Sequence, residues 1–368
     1  MATISFNKAK KNKSDEFYTQ WIDIENEMQA YLDFNPDIFR NKTILCPCDD
    51  PYESNFFKYF AYNFNKLGLK KLISTCYIGS PMASTQLELF SDEEKGNKTT
   101  RVPHKIEITE IPEDFFITTP KLLDVEKFLT TEKNLLVRLQ GDGDFRSEEI
   151  KKLRDESDLI ITNPPFSLFR EFISWIMEAK KQFLVISNMN AITYKEIFPL
   201  IKDNLIWMGI AFGRSFKGFI VPESYPLSGT EARIDEFGNR IVSTNNTIWL
   251  TNIEHGRRHQ PLKLMTMEEN LKFSKHKEVR DKTSYEKYDN YDAIEIPFTD
   301  AIPSDYNGVM GVPISFLHKY CPEQFEIIKF RKGNDEKDLS IKGKCPYFRI
   351  LIKNKTFTNG NVAKPHEV

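Results

Sequence analysis

Apolar positions along the first half of the chain alternate between helical and extended patterns. Trp21, Ile24, Met28 and Leu32 fall at helical spacing and predict an amphipathic helix. Thr43-Ile44-Leu45-Cys46 is a short apolar run stopped by Pro47-Cys48-Asp49-Asp50-Pro51, the pattern of a buried strand entering a loop. Phe56, Phe57, Phe60, Phe64 and Leu67 mark a second helix, with Gly68 as its C-terminal stop. Leu72-Ile73-Ser74-Thr75 predicts the next strand. Strand, loop, helix and strand in that order open a doubly wound, mostly parallel α/β sheet.

The pattern dissolves near Ser84 into SDEEKGNKTTR, which predicts a charged insertion over about 84–105. It resumes with Leu135-Leu136-Val137 and Gly141-Asp142-Gly143-Asp144-Phe145. Ser147 then stands as N-cap, with Glu148 and Glu149 in a favourable first helical turn. Asp158-Leu159-Ile160-Ile161-Thr162 reads as a buried strand, broken by Asn163-Pro164-Pro165-Phe166. Leu168/Phe169, Phe172/Ile173 and Ile176/Met177 recur every four residues, as on a helix packed against the sheet. Phe183-Leu184-Val185-Ile186-Ser187 is another strand, and Ile197, Leu200 and Ile201 predict another helix. After about Thr251 this rhythm is lost. The expected division is a basic polar tail over 1–14, an α/β domain over 15–250 and a more irregular region over 251–368.

Composition narrows the class. With 368 residues, 40% apolar and 28% charged, the chain can bury a substantial core. No run approaches eighteen apolar residues, and the start lacks the apolar stretch of a secretory signal. Neither a membrane span nor secretion is expected. The five cysteines are an odd number, and Cys46 and Cys48 have no neighbouring Cys or His to complete a zinc site. No metal is expected, and the expected compartment is a reducing cytoplasm. The net charge of −2 requires any nucleic-acid affinity to come from a local positive face.

Asn163-Pro164-Pro165-Phe166 carries the chemistry. As a plain turn, its two prolines fix φ and remove two donors. It stands at the carboxyl end of a buried strand, where open α/β sheets place their sites. It also suits one reaction. The exocyclic amine of a nucleobase is a poor nucleophile, because its lone pair is delocalised into the ring. The Asn163 side-chain oxygen and the Pro164 carbonyl can take both its N–H bonds and free that lone pair to attack a methyl sulfonium. Phe166 offers a π-face for the base.

The sequence resembles the adenine-specific DNA methyltransferases, most closely the EcoRI-type family. The resemblance runs over nearly the whole chain. It takes in Asp15-Glu16-Phe17-Tyr18-Thr19, Cys48-Asp49-Asp50-Pro51, Glu53-Ser54-Asn55-Phe56-Phe57 and Gly143-Asp144-Phe145-Arg146-Ser147. It continues through Thr162-Asn163-Pro164-Pro165-Phe166-Ser167-Leu168-Phe169, Asn188-Met189-Asn190-Ala191 and Gly308-Val309-Met310-Gly311-Val312-Pro313. It implies a Rossmann-like methyltransferase domain with a C-terminal target-recognition region, S-adenosylmethionine as donor, and adenine N6 in double-stranded DNA as acceptor. Action as a monomer is expected. The resemblance gives catalysis to Asn163, Pro164, Pro165 and Phe166. It gives the cofactor to Phe17, Tyr18, Thr19, Cys48, Asp49, Asp50, Asp144, Phe145 and Asn163. The chain departs from the general methyltransferase pattern where Cys46-Pro47-Cys48-Asp49-Asp50-Pro51 replaces a Gly-rich turn. Its second strand also ends Ser74-Thr75-Cys76-Tyr77, without the usual ribose-binding acid.

DNA contact is expected from the C-terminal region. His255-Gly256-Arg257-Arg258-His259 is short and basic, and from Ile327 to Val368 ten Lys or Arg stand against four Asp or Glu. Arg257, Arg258, Lys342, Lys344 and Arg349 are the candidate contacts. Three other readings stay open at this point. One is an RNA or protein N-methyltransferase using the same tetrapeptide, and another is a catalytically silent DNA-binding protein. A restriction nuclease is the third, though no paired-carboxylate-plus-Lys cluster supports it.

Overall fold

The first strands and helices form where local signals put them. The structure, a computed structural model, describes residues 18–51, 54–76, 103–112, 136–212, 215–221, 227, 232–242, 246–331, 339–345 and 348–355. Phe17 and most of the charged insertion lie outside these. The chain divides into two compact units, Met1–Ile197 with Gly209–Glu254, and Phe198–Met208 with His255–Val368. The segment Phe198–Met208 therefore groups with the C-terminal part of the chain, a partition that linear reading does not reveal.

In the first unit, β1 (Tyr18–Thr19) leads into α1 (Trp21–Phe34), and β2 (Thr43–Cys46) follows. The expected single helix is broken at Asn63 into α2 (Asn55–Tyr62) and α3 (Phe64–Leu67). β3 (Lys71–Thr75) comes next, then β4 (His104–Ile108), β5 (Leu136–Arg138) and α4 (Glu148–Glu156). β4 begins at His104, at the edge of the charged insertion expected over about 84–105. β6 (Leu159–Thr162) enters a 3-10 turn at Phe166–Leu168, then α5 (Phe169–Glu178) and β7 (Gln182–Asn188). Ser54 caps α2 by accepting from the Phe56 and Phe57 N–H groups, and Ser147 caps α4 by accepting from Ile150 N–H.

After α6 (Phe198–Lys202) come β8 (Trp207–Phe212), β9 (Phe219–Ile220), β10 (Ala232–Ile234), β11 (Arg240–Val242) and β12 (Thr247–Thr251). The large sheet runs β5-β4-β3-β2-β6-β7-β12-β8. Its centre, β3-β2-β6-β7, is parallel, while β4 and β12 run antiparallel to β3 and β7. This is an α/β, Rossmann-like sheet whose strand order reverses at β2, between β3 and β6. β2 and β6 are buried along their whole length, as parallel strands covered on both faces must be. Ile24 and Met28 of α1, Phe56, Phe57 and Phe60 of α2, and Trp249 of β12 pack in one core with them. A smaller antiparallel sheet, β1-β9-β11-β10, completes this unit.

The second unit is more ordered than its sequence predicts. It contains α7 (Met267–Phe273), β13 (Ala293–Glu295), β14 (Val309–Pro313), β15 (Phe325–Arg331) and β16 (Arg349–Asn354). The four strands form a sheet in the order β13-β14-β16-β15. Thr266 and Glu269 close a capping box at the start of α7.

Candidate active site

The loop after β2 is held on both sides at the switch point of the sheet. Toward β3, Thr75 Oγ1 donates to Pro47 O at 3.0 Å, and Ser74 Oγ donates to Asp49 O. Toward β6, Thr162 Oγ1 and the Asn163 N–H donate to the Asp49 carboxylate, which also accepts from Ser54 Oγ at 2.6 Å. Asp49 is 5% exposed, and burial raises its pKa to about 6 against the lowering effect of those hydrogen bonds. Its carboxylate locks the loop after β2 to the start of Asn163-Pro164-Pro165-Phe166. That commitment gives Asp49 a scaffold role in the loop. Cys48 is half-buried, and burial with the nearby Asp49 keeps its thiol protonated.

The tetrapeptide leaves β6 with Pro164 buried and Asn163, Pro165 and Phe166 half-buried. The Pro165 carbonyl accepts from Leu168 N–H at 3.0 Å, closing the 3-10 turn, so the acceptor available to chemistry is Pro164 O. The Phe166 ring meets Phe219 of β9 at 6.4 Å and 75°, edge to face. Phe219 lies opposite Thr19 in the small sheet. Thr19 is 3% exposed, its carbonyl accepts from Asn55 Nδ2 at 2.8 Å, and its buried Oγ1 has no hydrogen-bond partner among the described residues. Asn55 opens α2 beside Ser54, whose N–H donates to Asp50 O at 2.7 Å. Thr19, Asp50, Asn55 and Asn163 are thereby drawn to one end of the sheet.

Asp144 and Phe145 arrive there from another direction. Gly143 has φ +78°, and a Cβ on it would overlap the Cys76 carbonyl, so glycine lets this turn pack against the end of β3. The Asp144 carboxylate pairs with Arg146 at 2.6 Å, and that contact lowers its pKa. Phe145 is buried edge-on against Phe172 at 5.1 Å and Trp175 at 5.6 Å. An open cleft of about 880 Å³ runs along α5 from Phe145 and Trp175 past Phe166 and Ser167 to Asn188, Asn190 and Tyr194. Arg170 forms part of its wall, 4.3 Å above the Tyr194 ring.

Two carboxylates of α1 escaped the sequence reading. Glu27 accepts from the Ile210 and Ala211 N–H groups at 2.8 and 2.9 Å, and Asp23 accepts from Lys217 N–H at 3.0 Å with both oxygens. They fix the backbone leading to Phe219, and their helical spacing of four was the available signal. Burial raises Asp23 to about 7 from its ordinary 3.8, opposed by Lys217 and Arg233. Asp23 and Asp49 both hold a proton in the folded chain at pH values where the unfolded chain has lost it. Their contribution is fully present below about pH 4 and lost as pH rises through about 6 for Asp49 and about 7 for Asp23. The stability of the wild type relative to Asp23→Asn should therefore fall by a few kcal/mol between about pH 4 and 7, then level off. Thermal unfolding of both proteins across that range checks this, and a constant difference contradicts it.

In the second unit the basic candidates separate. Arg258 is 6% exposed, lies 3.6 Å over the Trp207 ring and donates to Asn204 Oδ1. Arg257 donates to His318 Nε2 at 2.7 Å, and burial with that guanidinium lowers His318 to about 3. Arg349 is buried against Glu295. Packing and ion pairing thus occupy Arg258 and Arg349, which a phosphate contact would require at the surface. Lys342 and Lys344 stand exposed in the turn between Ile341 and Lys344, with Lys342 Nζ 3.0 Å from Glu286.

A family profile described as "Adenine-specific methyltransferase EcoRI" matches residues 5–355. The chain belongs to this methyltransferase family. It is 53% identical to the type II methyltransferase M.EcoRI of Escherichia coli, over 95% of this chain and 96% of that protein. It is 33% identical to M.MgeORF184P of Mycoplasma genitalium and 31% to M.MpnI of Mycoplasma pneumoniae, each over 95% of this chain and 98% of theirs. No solved structure matches it. Family membership makes the chain an adenine-specific methyltransferase, and places the tetrapeptide and its Asp49 lock within an enzyme. Among the described residues no helix is long and apolar enough to cross a membrane, and no group of three or more His, Cys, Asp or Glu is placed to hold a metal.

Proposed function

We propose that the chain transfers a methyl group from S-adenosylmethionine to N6 of an adenine extruded from a defined duplex DNA sequence. It does so as a monomer in the cytoplasm, as the modifying half of a type II restriction-modification pair. The observation that carries the reading is Asn163-Pro164-Pro165-Phe166 at the switch point, fixed to Asp49 through Thr162 and the Asn163 N–H. The buried Thr19 hydroxyl, which lacks a protein partner among the described residues, suits the polar methionine end of the donor. Asp50 accepts from the N–H of Ser54, which precedes the Asn55 bonded to Thr19, and Phe145 lines the cleft along α5. Bound there, the donor would supply an electrophilic methyl sulfonium. Asn163 Oδ1 and Pro164 O orient the adenine amine by accepting its two hydrogens, and Phe166 holds the base by its face.

Both N6 hydrogens are needed, and in a duplex one belongs to the paired thymine. The base must therefore leave the stack, at about a few kcal/mol, and stacking on an aromatic ring returns about 1–3. Phe166→Ala should slow transfer by roughly one to two orders of magnitude, with Phe166→Tyr much milder. 2-Aminopurine at the target position should brighten on binding to the wild type and less with the Ala variant. Equal behaviour of Ala and Tyr, or a quenched analogue in an active ternary complex, contradicts this.

Lys342 and Lys344 are the surface cations offered to the phosphate backbone. Replacing each with Ala should weaken binding to all DNA sequences alike and reduce the salt slope by about one per residue. Unchanged slopes return both residues to solvated surface. Function itself is tested by supplying labelled donor with duplex DNA, RNA and protein, then mapping modified bases. Label at adenine N6 in one duplex sequence is expected, and label confined to RNA or protein overturns the reading.

A further inference from the structure

Arg146, Lys151 and Arg170 are the cations that line the cleft along α5, and the first two are already paired. Arg146 stands 2.6 Å from Asp144 and 3.2 Å from Glu171, and Lys151 stands 2.7 Å from Glu148. Arg170 differs. Its carboxylate neighbour among the described residues is Glu196, whose Oε2 lies 3.9 Å from Arg170 Nε, beyond hydrogen-bond reach. That oxygen is buried without a hydrogen-bond partner among the described residues, and Lys195 Nζ shares the carboxylate at 3.7 Å. The Arg170 side chain keeps 56% of its surface exposed.

Arg170 is nevertheless held in place. Its guanidinium carbon sits 4.3 Å from the centre of the Tyr194 ring. Tyr194 is fixed through its backbone, because its N–H donates to Ala191 O at 3.0 Å and its carbonyl accepts from Ile197 N–H at 3.0 Å. A guanidinium laid on a ring keeps its edge of N–H donors open, the fork that phosphate oxygens accept in pairs. α5 begins at Phe169, so Arg170 also puts a cation in the first helical turn, where the helix dipole disfavours it. An anion beside it removes that conflict.

The local backbone brings Arg170 next to the reacting tetrapeptide. The 3-10 turn Phe166–Leu168 runs directly into α5, and Arg170 follows Phe166 by four residues. Side chains at that spacing along a helix are neighbours, with about 5–6 Å between their Cβ atoms. Both line the cleft, with Ser167 between them in sequence. A nucleotide whose base lies on Phe166 carries its phosphates one sugar away from that ring, within the span of an arginine side chain.

We propose that Arg170 grips a phosphate flanking the extruded adenine and so fixes the backbone side of the nucleotide whose base lies on Phe166. The proposal rests on duplex DNA as the substrate. With the amine held at Asn163 and Pro164 and the phosphate at Arg170, the nucleotide is fixed at both ends outside the helix.

The test uses the full chain, a duplex containing its methylated sequence, and the variants Arg170→Ala and Arg170→Lys. Arg170→Ala should bind donor normally, lower kcat/KM for the duplex by about 10- to 100-fold and reduce the salt slope by about one. Each phosphate around the target adenine is then replaced in turn by an uncharged methylphosphonate. With the wild type, one flanking position should cost a similar factor, and Arg170→Ala should lose nothing further there. Arg170→Lys, which keeps the charge without the fork, should fall between the two. A wild type and an Arg170→Ala variant equally sensitive at every position overturn the proposal, as does unchanged transfer by Arg170→Ala. Loss of donor binding by Arg170→Ala assigns the guanidinium to the donor's carboxylate and also overturns it. A wild type that neither binds nor methylates duplex overturns the substrate reading and the phosphate contact with it.

Discussion

Asn163→Ala is expected to leave the fold and donor binding in place while lowering methyl transfer by at least about 10²–10³-fold. The side chain is half-buried at the end of β6, and the bond that anchors this position to Asp49 comes from its backbone N–H, which alanine keeps. The scaffold of Asp49, Thr162 and Ser54 should therefore persist. On the proposed mechanism, what disappears is one of the two acceptors that take the hydrogens of the adenine amine and localise its lone pair. Asn163→Asp retains an acceptor oxygen and should keep more activity than the alanine variant. Single-turnover methyl transfer alongside donor titration by calorimetry separates chemistry from binding. Near-normal turnover by Asn163→Ala removes the central assignment, whereas loss of donor binding makes Asn163 a cofactor residue first.

Arg349→Leu is expected to destabilise the C-terminal unit by about 3–5 kcal/mol without altering the salt dependence of DNA binding. Arg349 is 7% exposed, and its Nε donates to both Glu295 oxygens at 2.8 and 3.0 Å while Nη2 makes a further contact. The Tyr288 hydroxyl donates to the same carboxylate, and burial together with Glu295 raises its pKa well above the usual value. Removing only the guanidinium leaves Glu295 charged, buried and short of donors. Removing both partners, as Arg349→Leu with Glu295→Leu, should recover most of the loss, because no uncompensated charge then remains. Chemical denaturation of the single and double variants measures this. A salt slope lower by about one in Arg349→Leu, with stability intact, would show instead that Arg349 meets a phosphate.

Where a signal is local, the sequence was readable. Ser147 reads as a cap because its hydroxyl bonds within the next turn, and Asp158 to Thr162 reads as a strand because Asn163-Pro164 stops it. β4 was hidden for the opposite reason. His104-Lys105-Ile106-Glu107-Ile108 alternates polar and apolar residues beside a charged stretch, and only pairing with β3 and β5 makes it a strand. The break at Asn63 was equally hidden, since Phe60, Phe64 and Leu67 keep helical spacing across it.

By itself the sequence determined the alternation of strands and helices around β2, β3, β6 and β7, the Asn163-Pro164-Pro165-Phe166 tetrapeptide and its place at a strand end, because each depends on residues within a few positions of one another. Tertiary structure alone decided what the charged and polar residues do. A carboxylate's sequence neighbours do not reveal that Asp49 will meet Thr162, that Asp23 will hold Lys217, or that Arg349 will pair with Glu295. Those partners lie 113, 194 and 54 positions apart. In each case burial makes the partner obligatory, since a polar or charged group removed from water must find compensation wherever the fold supplies it.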